Sequence, residues 1–136
     1  HDTQQTYFGD ECADLGIITW GSQQGTVEEA VERLNDAGHP VKGIGVSDMM
    51  PFPEQELTEF LESVDEALVV EMNASAQFRG LLQKELGRFG PKLTSMLKYN
   101  GNPFEPGEIV EGFEIRLGGD SAEPTAQVRF EPAAGD

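Results

Sequence analysis

The chain has 136 residues, 25 acidic and 9 basic, giving a formal net charge of −16. Phosphate backbones and anionic lipid surfaces both call for clustered Lys and Arg, so this balance argues against nucleic-acid binding and membrane docking. A hydrophobic content of 38%, with 8 Phe, is too high for a disordered acidic tail, and the length suits one domain that needs no staple.

Residues 1–14 are polar and read as an arm or linker. Leu15-Gly16-Ile17-Ile18-Thr19-Trp20 is short, apolar and β-rich, which predicts a buried strand. A turn follows, and Thr26-Val27-Glu28-Glu29 has the pattern of a capping box, with Thr26 as N-cap. The helix after it sets Val27, Ala30, Val31 and Leu34 on one face and is closed by Gly38 and Pro40. The unit then repeats, with a strand over 41–46, a stiff Pro51-Phe52-Pro53 turn and a helix over 54–64 with Pro53 at N1. Ala67-Leu68-Val69-Val70 is continuously apolar, as a strand covered on both faces must be. A helix over about 75–88, a strand over 93–99 and a helix over 106–117 complete the series. Residues 118–136, rich in Gly, Ala and Pro, read as an irregular acidic tail. Alternating strands and helices predict a three-layer α/β sandwich over 15–117, with a mostly parallel, mixed sheet.

Ligands in such sheets gather beyond the carboxyl ends of the strands. Those ends carry Ser22 and Gln23, then Ser47, Asp48, Met49 and Met50, then Glu71, Met72 and Asn73. Gly21-Ser22-Gln23-Gln24-Gly25-Thr26 lies between a strand and a helix, where phosphates bind backbone amides, yet it lacks the Walker lysine and the GxGxxG spacing. Turn glycines and a helix cap explain it as well. Ser22 has no evident triad, since the interior His39 falls at the opposite end of the sheet. Cys12 is the single cysteine, which excludes an intrachain disulfide and a cluster ligated by this chain alone. No spacing suggests zinc or calcium. Glu105, Glu108, Glu111 and Glu114 read as a solvated helix side. Residues 76–104 hold Arg79, Lys84, Arg88, Lys92 and Lys98 against Glu85 alone, so this basic window is a candidate partner-facing surface.

Several segments together resemble a known family: Leu15-Gly16-Ile17-Ile18-Thr19-Trp20-Gly21-Ser22, Gly45-Val46-Ser47-Asp48-Met49-Met50-Pro51-Phe52-Pro53, Val69-Val70-Glu71-Met72-Asn73 and Leu97-Lys98-Tyr99-Asn100-Gly101-Asn102-Pro103-Phe104. They are similar to the C-terminal domain of the α subunit of 2-oxoacid:ferredoxin oxidoreductases, especially the 2-oxoglutarate type. The resemblance implies a fold like the transketolase C-terminal domain, with about five strands. It also implies a noncatalytic assembly role, with no cofactor in this chain. Thiamine diphosphate, coenzyme A and an iron–sulfur cluster are expected elsewhere in the complex, and the partners are the upstream α-subunit domains, the β subunit and ferredoxin. On this resemblance Asp48, Met49, Met50, Phe52, Glu71, Asn73 and Arg79 are expected to face the rest of the enzyme. Ordinary packing and capping roles stand beside that expectation.

The alternatives are a freestanding nucleotide- or anion-binding module using the 21–26 turn, and a small hydrolase or transferase built on Ser22. Scattered carboxylates with only 4 Lys suit a halophilic, haloarchaeal surface. No apolar run approaches the ~20 residues that span a bilayer, and no secretory leader is visible, so a reducing cytoplasmic setting is expected. His1 in place of Met suggests a piece of a longer chain, and the Asn73-Ala74-Ser75 sequon is taken as chance.

Overall fold

A computed structural model describes residues 5–46, 53–71, 77–87, 89, 92–98, 104–118 and 128–132. The strands are β1 (Gln5–Gly9), β2 (Leu15–Trp20), β3 (Lys42–Val46), β4 (Glu66–Glu71), β5 (Leu93–Lys98) and β6 (Val128–Pro132). The helices are α1 (Gln24–Asp36), α2 (Glu54–Glu62), α3 (Gln77–Leu86) and α4 (Pro106–Gly118). One six-stranded sheet runs β1-β3-β2-β4-β5-β6, with the central four strands parallel and both edge strands antiparallel.

Strand alternation sends successive side chains to opposite faces, and each face is covered by a helix pair. Ile17, Leu68, Val70 and Met96 meet Val27, Val31 and Leu34 of α1 and Ile109 and Phe113 of α4. Ile18, Ile44, Ala67 and Val69 meet Leu57, Phe60 and Leu61 of α2 and Leu82 of α3. The three-layer mixed α/β sandwich expected from the alternating pattern is therefore the fold. The unbroken apolar run of β4 reflects its coverage on both sides, at roughly 1.5–3 kcal/mol for each large aliphatic group buried.

The sheet extends beyond residues 15–117. β1 lies in the segment read as a polar arm, and β6 in the segment read as an irregular tail. β1 joins β3 by setting Phe8 opposite Gly43, where an added Cβ would run into the Phe8 ring. A glycine is required there because the aromatic ring occupies the space of its side chain.

Two local expectations are corrected. α1 begins at Gln24, because a 3-10 turn over Gly21–Gln23 runs straight into it, so Thr26 lies inside the first turn and does not cap. Pro53 occupies the N-cap of α2 rather than N1, and its carbonyl accepts the Leu57 N–H at 3.0 Å. Glu54 and Glu56 in that first turn complement the positive end of the helix dipole. α3 stops at Gly87, whose φ of +76° is the left-handed conformation that ends helices.

Candidate functional site

The carboxyl ends of the parallel strands form a rim, and its described polar groups turn inward. Glu71, at the end of β4, is buried at 6% exposure. One of its carboxylate oxygens, Oε2, accepts the backbone N–H of Arg79 at 3.0 Å. Arg79 stands in the first turn of α3, where amides lack intrahelical partners and the helix dipole favours an anion. The carboxylate thus ties β4 to the helix that follows it.

Gln23 makes a second tie. Its side chain is buried, and its Oε1 accepts the N–H of Phe104 at 3.0 Å, 81 residues away. The turn after β2 is so fastened to the approach to α4. Phe104 itself is buried among the residues between the sheet and the α1/α4 pair. Trp20, the last residue of β2, is half exposed beside Gly21.

Of the seven residues expected to face a partner, Glu71 and Arg79 are brought together. Asp48, Met49, Met50, Phe52 and Asn73 lie outside the described residues. Gln23, Phe104 and Trp20 were missed as a group. Trp20 could have been noticed as a large aromatic closing an apolar strand. Nothing in the sequence pairs a turn glutamine with a residue 81 positions on.

The remaining reactive groups sit apart. His39 lies at the opposite end, with Nε2 3.6 Å from Glu114 of α4. Cys12 is exposed. The Ser22 side chain lies outside the described residues. An iron–sulfur cluster takes four thiolates, so this chain's one cysteine does not fit such a group. Among the described residues no group of three His, Cys, Asp or Glu could hold a metal ion.

The basic window is partly structural. The Lys92 ammonium donates to the carbonyls of Leu61 and Val64, each at 2.8 Å, closing the C-terminal end of α2, and it lies 5.8 Å from the Phe89 ring centre. Cations at helix C-termini satisfy carbonyls left without partners. Lys92 is therefore withdrawn from the proposed partner surface. Arg88 and the Lys98 side chain lie outside the described residues.

A mixed sheet with helices on both faces and its polar strand ends along one rim defines an α/β domain of the doubly wound class. The chain belongs to the pyruvate:ferredoxin oxidoreductase core domain II family, whose model matches residues 13–109. It is 31% identical over 113 residues to 2-oxoacid:ferredoxin oxidoreductase 1, subunit alpha, of Aeropyrum pernix, covering 82% of this chain and 17% of that one. It is 39% identical over 82 residues to ketoisovalerate oxidoreductase subunit VorA of Pyrococcus abyssi, covering 60% of this chain and 20% of that one.

Among solved structures, it resembles 2-oxoglutarate:ferredoxin oxidoreductase from Magnetococcus marinus with 2-oxoglutarate, coenzyme A and succinyl-CoA bound. The TM-score is 0.77 at 30% identity, over 85% of this chain and 20% of that one. It also resembles the alpha chain of a probable 2-oxoacid ferredoxin oxidoreductase from Thermoplasma acidophilum, with a TM-score of 0.52 at 26% identity, over 84% of this chain and 97% of that one. The chain spans at most 20% of the length of the two curated relatives named. The resemblance read from the strand-end motifs holds at the level of the family, and the chain corresponds to one domain of these alpha subunits.

Proposed function

We propose that this chain is a noncatalytic assembly domain of a cytoplasmic, thiamine-diphosphate-dependent 2-oxoacid:ferredoxin oxidoreductase. In this reading the rest of the α subunit and the β subunit supply the cofactors. This domain holds their junction rigid, because a misplacement of about 1 Å at a reacting centre costs around a hundredfold in rate. The observation that carries the proposal is the family match across residues 13–109, which includes every helix-bearing unit up to the start of α4. Asp48, Met49, Met50, Phe52, Asn73 and the Arg79 side chain are the surface assigned to the neighbouring domains, while Glu71, expected there too, is buried as the cap of α3 and supports that rim from within. The Magnetococcus neighbour favours 2-oxoglutarate as the substrate. The carboxylate-rich, lysine-poor composition favours a haloarchaeal setting.

Reconstitution tests the role. The 136-residue chain is mixed with separately produced upstream α-subunit domains and β subunit, and coenzyme A-dependent oxidation of 2-oxoglutarate is followed with ferredoxin as acceptor. Turnover is expected only when all parts are present. Turnover by the chain alone, or full turnover without it, would overturn the assignment. Unfolding measured from low to multimolar KCl tests the salt adaptation, which predicts a rising midpoint.

A further inference from the structure

The two edges of the sheet are treated differently. β6 carries Arg129 and Glu131 and ends on Pro132, which are the devices that stop an edge strand from pairing with another chain. β1 has none of them: its sequence, Gln5-Thr6-Tyr7-Phe8-Gly9, holds no charge and no proline in a chain of net charge −16. Tyr7 on this strand is 58% exposed, the most exposed large apolar side chain among the described residues. Among those residues no element lies beyond the outer edge of β1.

Acidic grooves flank this bare edge on both faces of the sheet. On the α2 side a groove of about 490 Å³ is lined by Tyr7 and Phe8 and by the carboxylates of Glu11, Glu56 and Glu59, against Lys42. Lys42 is engaged there, with its ammonium 5.6 Å from the Phe60 ring centre and 3.4 Å from the Glu11 carbonyl. On the α1 side a second groove, of about 660 Å³, is lined by Phe8 and by Glu28, Glu29, Glu32 and Asp36, against Arg33. Arg33 is ion-paired to Glu29.

A strand added to β1 would send alternate side chains to these two faces. Lysines or arginines at those positions would meet carboxylates on either side. A second copy of this chain would instead bring the same carboxylates against one another, and opposed like charges disfavour that pairing. We infer that β1 is the docking edge for an extended, Lys/Arg-bearing segment of a partner protein, which joins the sheet as a seventh strand. The edge supplies backbone hydrogen bonds, Tyr7 and Phe8 supply apolar cover, and the flanking carboxylates select for positive charge.

The test uses the 136-residue chain and two synthetic seven-residue peptides, Val-Lys-Lys-Val-Lys-Lys-Val, which sends lysines to both faces of an added strand, and the same sequence with glutamate in place of each lysine. Fluorescence anisotropy is expected to show binding of the lysine peptide only. Hydrogen exchange should slow at backbone amides within residues 5–9 when it binds. Glu59→Lys on one flank and Glu32→Lys on the other should each weaken binding roughly tenfold, the size of one well-placed charge contact. Two independent exposed sites guard against misfolding of either variant. Equal binding of both peptides would overturn the proposal. So would binding that leaves the β1 amides unprotected, no binding at all, or a β1-mediated homodimer in sedimentation.

Discussion

The Oε1 atom of Gln23 accepts the backbone N–H of Phe104 at 3.0 Å inside the protein, joining the turn after β2 to the segment that leads into α4. A neutral hydrogen bond of this kind adds only about 1 kcal/mol net, but an amide buried without a partner costs about 1–3 kcal/mol. Gln23→Leu keeps most of the volume and removes the acceptor. It should lower stability by about 1–3 kcal/mol in urea unfolding, with an unchanged m-value. A loss below a few tenths of a kcal/mol would mean that the Phe104 amide finds water or another acceptor.

Glu71 acts on α3 as an N-terminal cap supplied by the preceding strand. Removing a capping side chain costs about 0.5–2 kcal/mol, and Glu71→Ala also leaves the Arg79 amide without this acceptor. Glu71→Gln retains an oxygen and gives up only the interaction of the charge with the helix dipole, about 0.3–1 kcal/mol. Thermal unfolding should rank wild type above Glu71→Gln, and Glu71→Gln above Glu71→Ala. Equal midpoints for the two variants would show that the acceptor oxygen contributes nothing.

Two lysines of the same sequence window should behave differently. Lys92 donates to two carbonyls at the end of α2, whereas Lys84 is exposed on α3. Lys92→Met should cost about 1–2 kcal/mol, and Lys84→Met should fall within about 0.5 kcal/mol of wild type. Chemical denaturation of the pair decides between a structural and a purely surface role for Lys92.

That contrast shows what the sequence could and could not reveal. Hydrophobic periodicity located β2 to β5 and the four helices, because each buries a face whose spacing is written locally. β1 escaped notice because its single inward aromatic, Phe8, packs over Gly43, a residue with no side chain to signal a partner. β6 escaped because its short strand sits among Gly, Ala and Pro. Charge counting found the basic window but could not see that Lys92 turns to the Leu61 and Val64 carbonyls about 30 residues earlier. Glu71 was legible as a strand-end polar residue and Arg79 as a member of the basic window. The Gln23–Phe104 tie depends on tertiary placement alone.

A buried hydroxyl gives a prediction of opposite sign. Thr19 is fully buried on β2, and its Oγ1 makes no hydrogen bond among the described residues. Such a group bears a desolvation cost of about 1–3 kcal/mol, and an apolar replacement of the same shape removes it. Thr19→Val should raise stability by about 1 kcal/mol and move the thermal midpoint upward. A destabilised Thr19→Val variant would show that the hydroxyl has a partner after all.

Tyr7 links the exposed edge to pH. Burial, followed by the Glu56 and Glu59 carboxylates, holds its hydroxyl above the ordinary value of 10.0. The folded chain therefore keeps this proton at pH values where the unfolded chain has released it. Stability then falls with rising pH, because the unfolded state binds fewer protons. The contribution is complete below pH 10 and is lost as pH rises through 10 towards the folded value. Tyr7→Phe should flatten the alkaline limb of stability against pH and leave neutral stability nearly unchanged. Absorbance titration should show that the component titrating above 10.0 assigned to Tyr7 is lost in that variant. Glu56→Gln should shift the same component downward, because it removes the larger of the two carboxylate contributions. An unmoved titration in Glu56→Gln would leave burial and Glu59 as the causes and remove Glu56 from the negative potential inferred along the α2 flank of β1.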